Sequence, residues 1–211
     1  MDEVGLLAQV GGKMSRGRIV RVDVIASENR LVIRRIRDEP AEYERIAAWQ
    51  NQPHVREWWD PDDPPLSPDE AQRQYEALTR PDSTTIACVF EFEGRATGYI
   101  QFYPWGPYRE EADEMGLPAV EDAWGLDVFV GEPDLIDRGV GSAVVDLLSR
   151  HLFDECGASR VMFAAAVDNA RALRAYEKAG FTREGRVLDT DVKDGQRVES
   201  WLLVRRRPLL I

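Results

Sequence analysis

The chain is short of several residue types that chemistry often needs: two histidines, two cysteines and three lysines stand among its 211 residues. Cys88 and Cys156 show no CxxC spacing, and His54 and His151 do not cluster with them, so neither a metal site nor a disulfide framework is expected. No long uncharged apolar run is present, which excludes a membrane-spanning helix. No basic-apolar-small leader opens the sequence, and a cytoplasmic protein is expected. Basic residues are outnumbered 27 to 38, and the net charge of −11 argues against nucleic acid, whose phosphates demand a basic face. That balance suits a cationic partner, although acidic charge also serves solubility alone.

What remains is one domain of ordinary size, with no internal repeat or low-complexity tract. Residues 1–17 lack periodicity and read as a flexible leader. Residues 18–30 read as an added N-terminal edge strand and turn, in which strands 19–25 and 31–36 flank Ser27-Glu28-Asn29. The main domain is expected over residues 31–211. A helix starts at Pro40 and buries Ile46, Ala47 and Trp49. Ser67-Pro68-Asp69-Glu70 is a capping box opening a second helix. Hairpins are expected around Glu93-Gly94 and Lys193-Asp194-Gly195, with Tyr99, Gln101 and Tyr103 on one face of a strand that looks into a cleft or lies half-buried. Of the adjacent Trp58 and Trp59, one belongs in the core and the other forms a flat wall for a sugar or amine, unless both merely anchor the loop.

The chain is organised around residues 124–153. A strand-like run from Leu126 to Val130 leads to Arg138-Gly139-Val140-Gly141-Ser142, and a helical apolar pattern follows at Val144, Val145, Leu148 and Leu152. Glycines at a helix N-terminus let backbone N–H groups converge, and the helix dipole adds positive charge there, a setting for phosphate or pyrophosphate. Taken alone, Gly-x-Gly equally marks a plain turn.

One strand later come Asp168-Asn169 and the segment ARALRAYEKAGF, residues 170–181. Together with the glycine turn, these resemble the two central motifs of the GCN5-related N-acetyltransferase (GNAT) superfamily, a likeness covering about residues 31–205. Within it, Gly125-Leu126-Asp127, Gly131-Glu132-Pro133 and the tryptophan pair in His54-Val55-Arg56-Glu57-Trp58-Trp59 resemble the aminoglycoside 6'-N-acetyltransferases. The chain departs from them at Ile136, where the superfamily usually has Gln or Arg, and at Ala164, where the aminoglycoside enzymes tend to carry an acid.

The resemblance implies an α+β GNAT fold: a mixed, mostly antiparallel twisted sheet, helices on both faces and a splayed central pair of parallel strands. It implies acetyl-CoA as cosubstrate and no metal. Backbone groups of Val128, Phe129 and Val130 would hold the pantetheine chain and polarise the thioester, and Asp137, Arg138, Gly139, Val140, Gly141 and Ser142 the pyrophosphate. Asn169 would be a cofactor contact, a helix cap or both. Tyr176 would donate a proton to the leaving thiolate, or only pack; Asp127 would meet the amine. Trp58, Trp59, Tyr99, Gln101, Glu121 and Asp122 would line the acceptor site with Asp127, the last acids as part of an acidic flap at residues 104–124. The expected function is acetyl transfer to a primary amine of a cationic small molecule, at an aminoglycoside 6'-amine as in antibiotic resistance. Alternatives are a siderophore-type lysine or hydroxylysine acyltransferase, a peptide or polyamine acetyltransferase and, from another class, a non-catalytic acyl-CoA-binding module. Neither nucleic acid nor membrane is an expected partner, and the protein would be a monomer or homodimer.

Overall fold

The structure, a computed structural model, describes residues 24–118 and 120–208. The leader expected over residues 1–17 and the first part of the expected edge strand lie outside them. Eight strands form one sheet: β1 (Val24–Glu28), β2 (Leu31–Arg35), β3 (Ile86–Phe92), β4 (Arg95–Pro104), β5 (Ala123–Val130), β6 (Arg160–Ala166), β7 (Thr182–Lys193) and β8 (Gln196–Arg206), in the order β1-β2-β3-β4-β5-β6-β8-β7. Every neighbouring pair is antiparallel except β5 and β6. The first hairpin is tighter than the sequence suggests: Ser27 and Glu28 stay in β1, and Asn29 takes a positive φ in a turn of Asn29 and Arg30.

Alternation along the strands sends side chains to two faces. On one face Cys88, Phe90, Ile100, Leu126 and Phe163 pack under α5 (Val140–Asp154) and α6 (Ala170–Lys178). On the other, Val89, Tyr99 and Phe129 pack under α1 (Pro40–Gln50) and α3 (Pro68–Tyr75), with the short α2 (Pro53–Arg56) between them in sequence. The expected capping box at Ser67 and Glu70 starts α3. The acidic insertion is ordered rather than a bare loop. Its α4 (Arg109–Glu114) buries Ala112, and Trp105, Met115 and Val120 join Met162, Leu202 and Val204 in a third apolar cluster.

The sheet parts at its centre. Parallel pairing between β5 and β6 holds only at Ala123 with Arg160 and Trp124 with Val161; beyond that β5 runs to Val130 and β6 to Ala166 without pairing. The ladder to β4 shows which peptide groups this leaves free. Trp105 N–H donates to Ala123 O at 3.0 Å and Gly131 N–H to Thr97 O at 2.9 Å, so the odd-numbered residues of β5 turn their backbone toward β4. Leu126, Val128 and Val130 therefore turn theirs into the split.

Where β5 ends, the chain passes against the indole of Trp49, a buried α1 residue whose Nε1 donates to Glu132 at 2.9 Å. A Cβ on Gly131 would lie 2.2 Å from the root of that indole, which has nowhere to move. Gly131→Ala is therefore expected to destabilise the fold by about 1–3 kcal/mol through overpacking. A lowered urea midpoint at unchanged m-value would show it.

Candidate active site

Two cavities meet at the split. On the α5–α6 side lies a groove of about 290 Å³. It begins at the N-terminus of α5, where Gly139 adopts φ 81° at the N-cap and the first-turn N–H groups of Val140, Gly141 and Ser142 have no intrahelical acceptor. The Lys178 ammonium lies over Gly139, 3.6 Å from where its Cβ would stand. Arg171, Arg174 and Lys178 line the groove from α6, whereas its only acidic lining residue is Asp137. The spacing of three and four residues puts those three cations on one helix face. A helix N-terminus, three cations and the free peptide groups of Val128 and Val130 suit a polyanion with an extended amide chain, which is the chemistry of coenzyme A. His54 covers one of those groups, its Nε2 lying 2.9 Å from Val130 O.

On the opposite face of the sheet lies a larger cleft of about 820 Å³ with the reverse charge. Asp60, Glu111, Asp127, Asp189 and Asp191 line it, against Lys193 and Arg197. Its acids come from separate elements. Glu111 projects from α4 and accepts from Thr190 Oγ1 at 3.4 Å. Asp189 and Asp191 ride on a bulge in β7, where the register to β8 slips between Leu188 and Val192. Arg197 clamps this bulge by donating to the carbonyls of Asp189 (2.6 Å) and Leu188 (3.0 Å), which leaves the carboxylates to the cleft. Loss of solvent, then the neighbouring carboxylates of Asp189, Asp60 and Glu111, raise Asp191 to about 6; water at its exposed edge screens that effect.

Trp58, Trp59, Val128, Asn169, Ala172 and Tyr176 line both cavities, which makes them the walls of the junction. Asp127 stands beside it on the cleft side, held by Gln101 Nε2, which donates to Oδ2 at 2.8 Å. The Tyr99 hydroxyl donates to Gln101 Oε1 at 2.7 Å and so fixes which end of that amide faces Asp127. Desolvation raises the Asp127 carboxyl to about 7, against the lowering by Gln101, and the acids at 191, 189 and 111 add to the rise. Burial, then the Asp127 charge, push the Tyr176 phenol well above its ordinary 10. One group titrates near neutrality and the other keeps its proton, the pairing that acid–base chemistry requires.

Several expected positions fall elsewhere. Tyr99 is fully buried between Trp59, Tyr75 and Phe129 and lines neither cavity, so it positions Gln101 rather than touching a ligand. Phe129 does line the groove, but its peptide faces β4 and its ring packs on Trp59 with centroids 4.9 Å apart, so it meets the groove without turning a backbone group to it. Arg138 and the buried Val140 side chain do not line the groove. Glu121 is exposed and paired with Arg109, and the exposed Asp122 offers its carbonyl to Ser159 N–H; neither lines the cleft. Asn169 caps α6, accepting from Ala172 N–H at 3.1 Å, and also lines the junction. Trp58 and Trp59 both wall the two cavities, and Trp59 also packs on the core, so the expected division into one core and one wall residue does not hold. The sequence reading did not single out Arg171, Arg174 and Lys178, or Asp189 and Asp191. Helical spacing of the first set and the Asp-x-Asp alternation of the second were the available signals.

Comparison with known proteins gives a consistent picture. The family model for the acetyltransferase (GNAT) domain matches residues 38–188. The chain is 26% identical over 178 residues to aminoglycoside N(6')-acetyltransferase type 1 of Klebsiella pneumoniae, covering 82% of this chain and 85% of the relative. It is 33% identical over 86 residues to a kanamycin resistance protein of Rhizobium radiobacter, covering 41% of this chain and 74% of that protein. Among solved structures, AAC(6')-Ib with paromomycin and acetyl-CoA superposes with a TM-score of 0.69 at 22% identity, covering 85% of this chain and 94% of that one. The expected fold is thus the observed one. No helix among the described residues is long and apolar enough to cross a membrane, and no cluster of metal-ligating groups occurs among them.

A carboxyl raised on folding has a linked effect on stability. The folded state binds the Asp127 proton more tightly than the unfolded chain does, so stability falls as pH rises from about 4 to about 7, and the full cost applies above 7. At ~1.4 kcal/mol per pH unit the ceiling is roughly 4 kcal/mol. Asp127→Asn preserves an acceptor for Gln101 and removes the charge. Its melting temperature should exceed that of the parent at pH 8, with the gap closing near pH 4.

Proposed function

The chain belongs to the acetyltransferase (GNAT) family, and from that premise we propose that it acetylates a primary amine of a polycationic small molecule, the 6'-amine of an aminoglycoside in first place. The N-acetyltransferase class belongs to the family, which sets aside a non-catalytic binding module. The observation that carries the acceptor reading is the reversal of charge across the split: a basic groove and an acidic cleft meet at Tyr176, with Asp127 beside the junction on the cleft side. An anionic donor and a cationic acceptor are each attracted to their own side and are brought together only at the junction. The relatives named for aminoglycosides support the choice of acceptor. This reading puts the protein in the cytoplasm, where its donor is made.

Acetyl-CoA, when bound, supplies the acetyl thioester. The α5 N-terminus with Arg171, Arg174 and Lys178 holds phosphate charge, and the free peptide groups of Val130 and Val128 align the extended arm. The Val128 N–H polarises the carbonyl. Asp127, poised near 7, binds the incoming ammonium and takes its proton, directly or through a water, so that the neutral amine attacks. Tyr176 keeps its proton until the thiolate leaves, then donates it and regains one as the attacking nitrogen loses its second proton to become the amide. Ala164 leaves space on the cleft floor where the aminoglycoside enzymes tend to carry an acid, and Asp191 on the β7 bulge supplies a second carboxylate from the opposite wall.

Free-thiol release should be found with kanamycin and ribostamycin. Its kcat/KM should rise with pH through about 7 as Asp127 loses its proton. Asp127→Asn should lower it by roughly 10²–10⁴ and flatten that limb. Activity confined to other amines would keep the acetyltransferase and discard the aminoglycoside.

The two ends should also separate kinetically. Arg174→Glu should raise KM for acetyl-CoA about tenfold and leave acceptor KM within about twofold. Asp191→Asn should do the converse.

A further inference from the structure

Lys193 is one of three lysines in the sequence and ends β7 at the tip of the β7–β8 hairpin. Its ammonium lies 4.7 Å from the ring centroid of Trp58, one of the two indoles that wall both cavities. The tip is fastened in that place. Asp194 (φ 54°) and Gly195 (φ 72°) turn their N–H groups onto the Asp62 carboxylate, at 2.9 and 3.1 Å, joining the hairpin to the loop that carries Trp58. Both Asp62 oxygens accept from backbone N–H groups, and the same carboxylate attracts the Lys193 ammonium, which it helps to hold against the indole face. The cleft's other base is fixed differently: Arg197 is turned onto the β7 carbonyls.

We infer that Lys193 is an internal competitor for the acceptor: in the free protein it fills the cation seat on Trp58, and a cationic substrate must displace it to bind. This rests on the reading of the cleft as an acceptor site for cations. An indole face at the mouth of an acidic cleft attracts any ammonium, and one tethered by the chain is always at hand. Lys193 therefore opposes acceptor binding twice, by occupying the face and by repelling a second positive charge. An acceptor with one ammonium exchanges one cation for another at Trp58 and gains little there. An acceptor with several ammoniums gains from the carboxylates at 111, 127, 189 and 191 as well. The device thus selects polycations over simple amines. Lys193 acts as a specificity-determining residue and takes no part in the acyl transfer itself.

The test is a double-mutant cycle read by calorimetry, with kanamycin and with spermidine as probes, on the parent, Lys193→Met, Trp58→Leu and the double variant, each checked for a native melt. Lys193→Met should tighten both probes by roughly 3- to 10-fold. In the Trp58→Leu background the same change should give a clearly smaller factor, because the seat is gone. Lys193→Arg, which keeps the charge and stacks on indole, should stay within about twofold of the parent. Unchanged or weakened binding in Lys193→Met, equal tightening with and without Trp58, or no binding of either cation to parent and variant would overturn the inference. Equilibrium binding keeps this result apart from the aminoglycoside assignment, whose failure appears instead as absent turnover of kanamycin.

Discussion

A strand inside a sheet has hydrogen-bonding groups on both edges, and burying them unpaired carries a penalty comparable to lost hydrogen bonds. The central constraint in this molecule is that β5 meets β6 for only two residue pairs and then parts from it, leaving one edge of Leu126, Val128 and Val130 without a strand. Such an opening is stable only where something else can satisfy those groups. His54 reaches across to Val130 O, and water or a ligand with amide character must serve the rest. The split therefore joins the two faces of the sheet and offers a ready-made ladder to an extended chain. The basic groove and the acidic cleft could not share a junction in a sheet that stayed closed.

Charge is distributed to match this opening. With a net charge of −11 the chain still places three cations on one face of α6, beside the N-terminus of α5. Its acids gather on the other side, on α4 and the β7 bulge. The same crowding of carboxylates adds to the rise that burial gives Asp127. A solvated aspartate loses its proton far too readily to take one from an ammonium. Partial burial behind Gln101 and near other carboxylates shifts it to where proton exchange near neutral pH is practical, at the expense of fold stability.

Much of this was legible in the sequence. The glycine turn before the α5 pattern and the Asn-then-Tyr helix gave the central unit, and hairpin signals at Glu93-Gly94 and Lys193-Asp194-Gly195 placed four strands correctly. Asp127 and Tyr176 were singled out by motif position; Tyr176 lines both cavities and Asp127 the cleft beside their junction. Tyr99, Glu121 and Asp122 were misplaced for a common reason. Strand parity tells which face a side chain takes, but not whether a helix covers that face, and α3 with Trp59 covers Tyr99. Acid density marks a loop as charged without saying which acids turn inward; of the insertion, Glu111 lines the cleft, whereas Glu121 is drawn outward to Arg109. The acids on β7 were hidden because a bulge changes facing within a strand, and nothing in Leu188-Asp189-Thr190-Asp191 announces a register slip.

Ala164 and Asp191 line the same cleft from unlike supports. β6 is flanked on its paired side by β8, and its run of Ala164, Ala165 and Ala166 makes a shallow floor rather than a charged one. A carboxylate there would project from a strand held along its length by β8. The one at Asp191 projects instead from a bulge held by Arg197 and joined to α4 through Thr190 and Glu111. Sequence change in such a wall is less constrained than in the sheet, since surface loops tolerate change that packed strands do not. The junction is different. Asp127 is fixed through Gln101 by a buried Tyr99, and Tyr176 packs edge-on against Phe163 with centroids 4.7 Å apart. The two sides of the split thus differ in kind: a junction fixed by buried packing, and beside it an acidic wall where sequence change is less constrained.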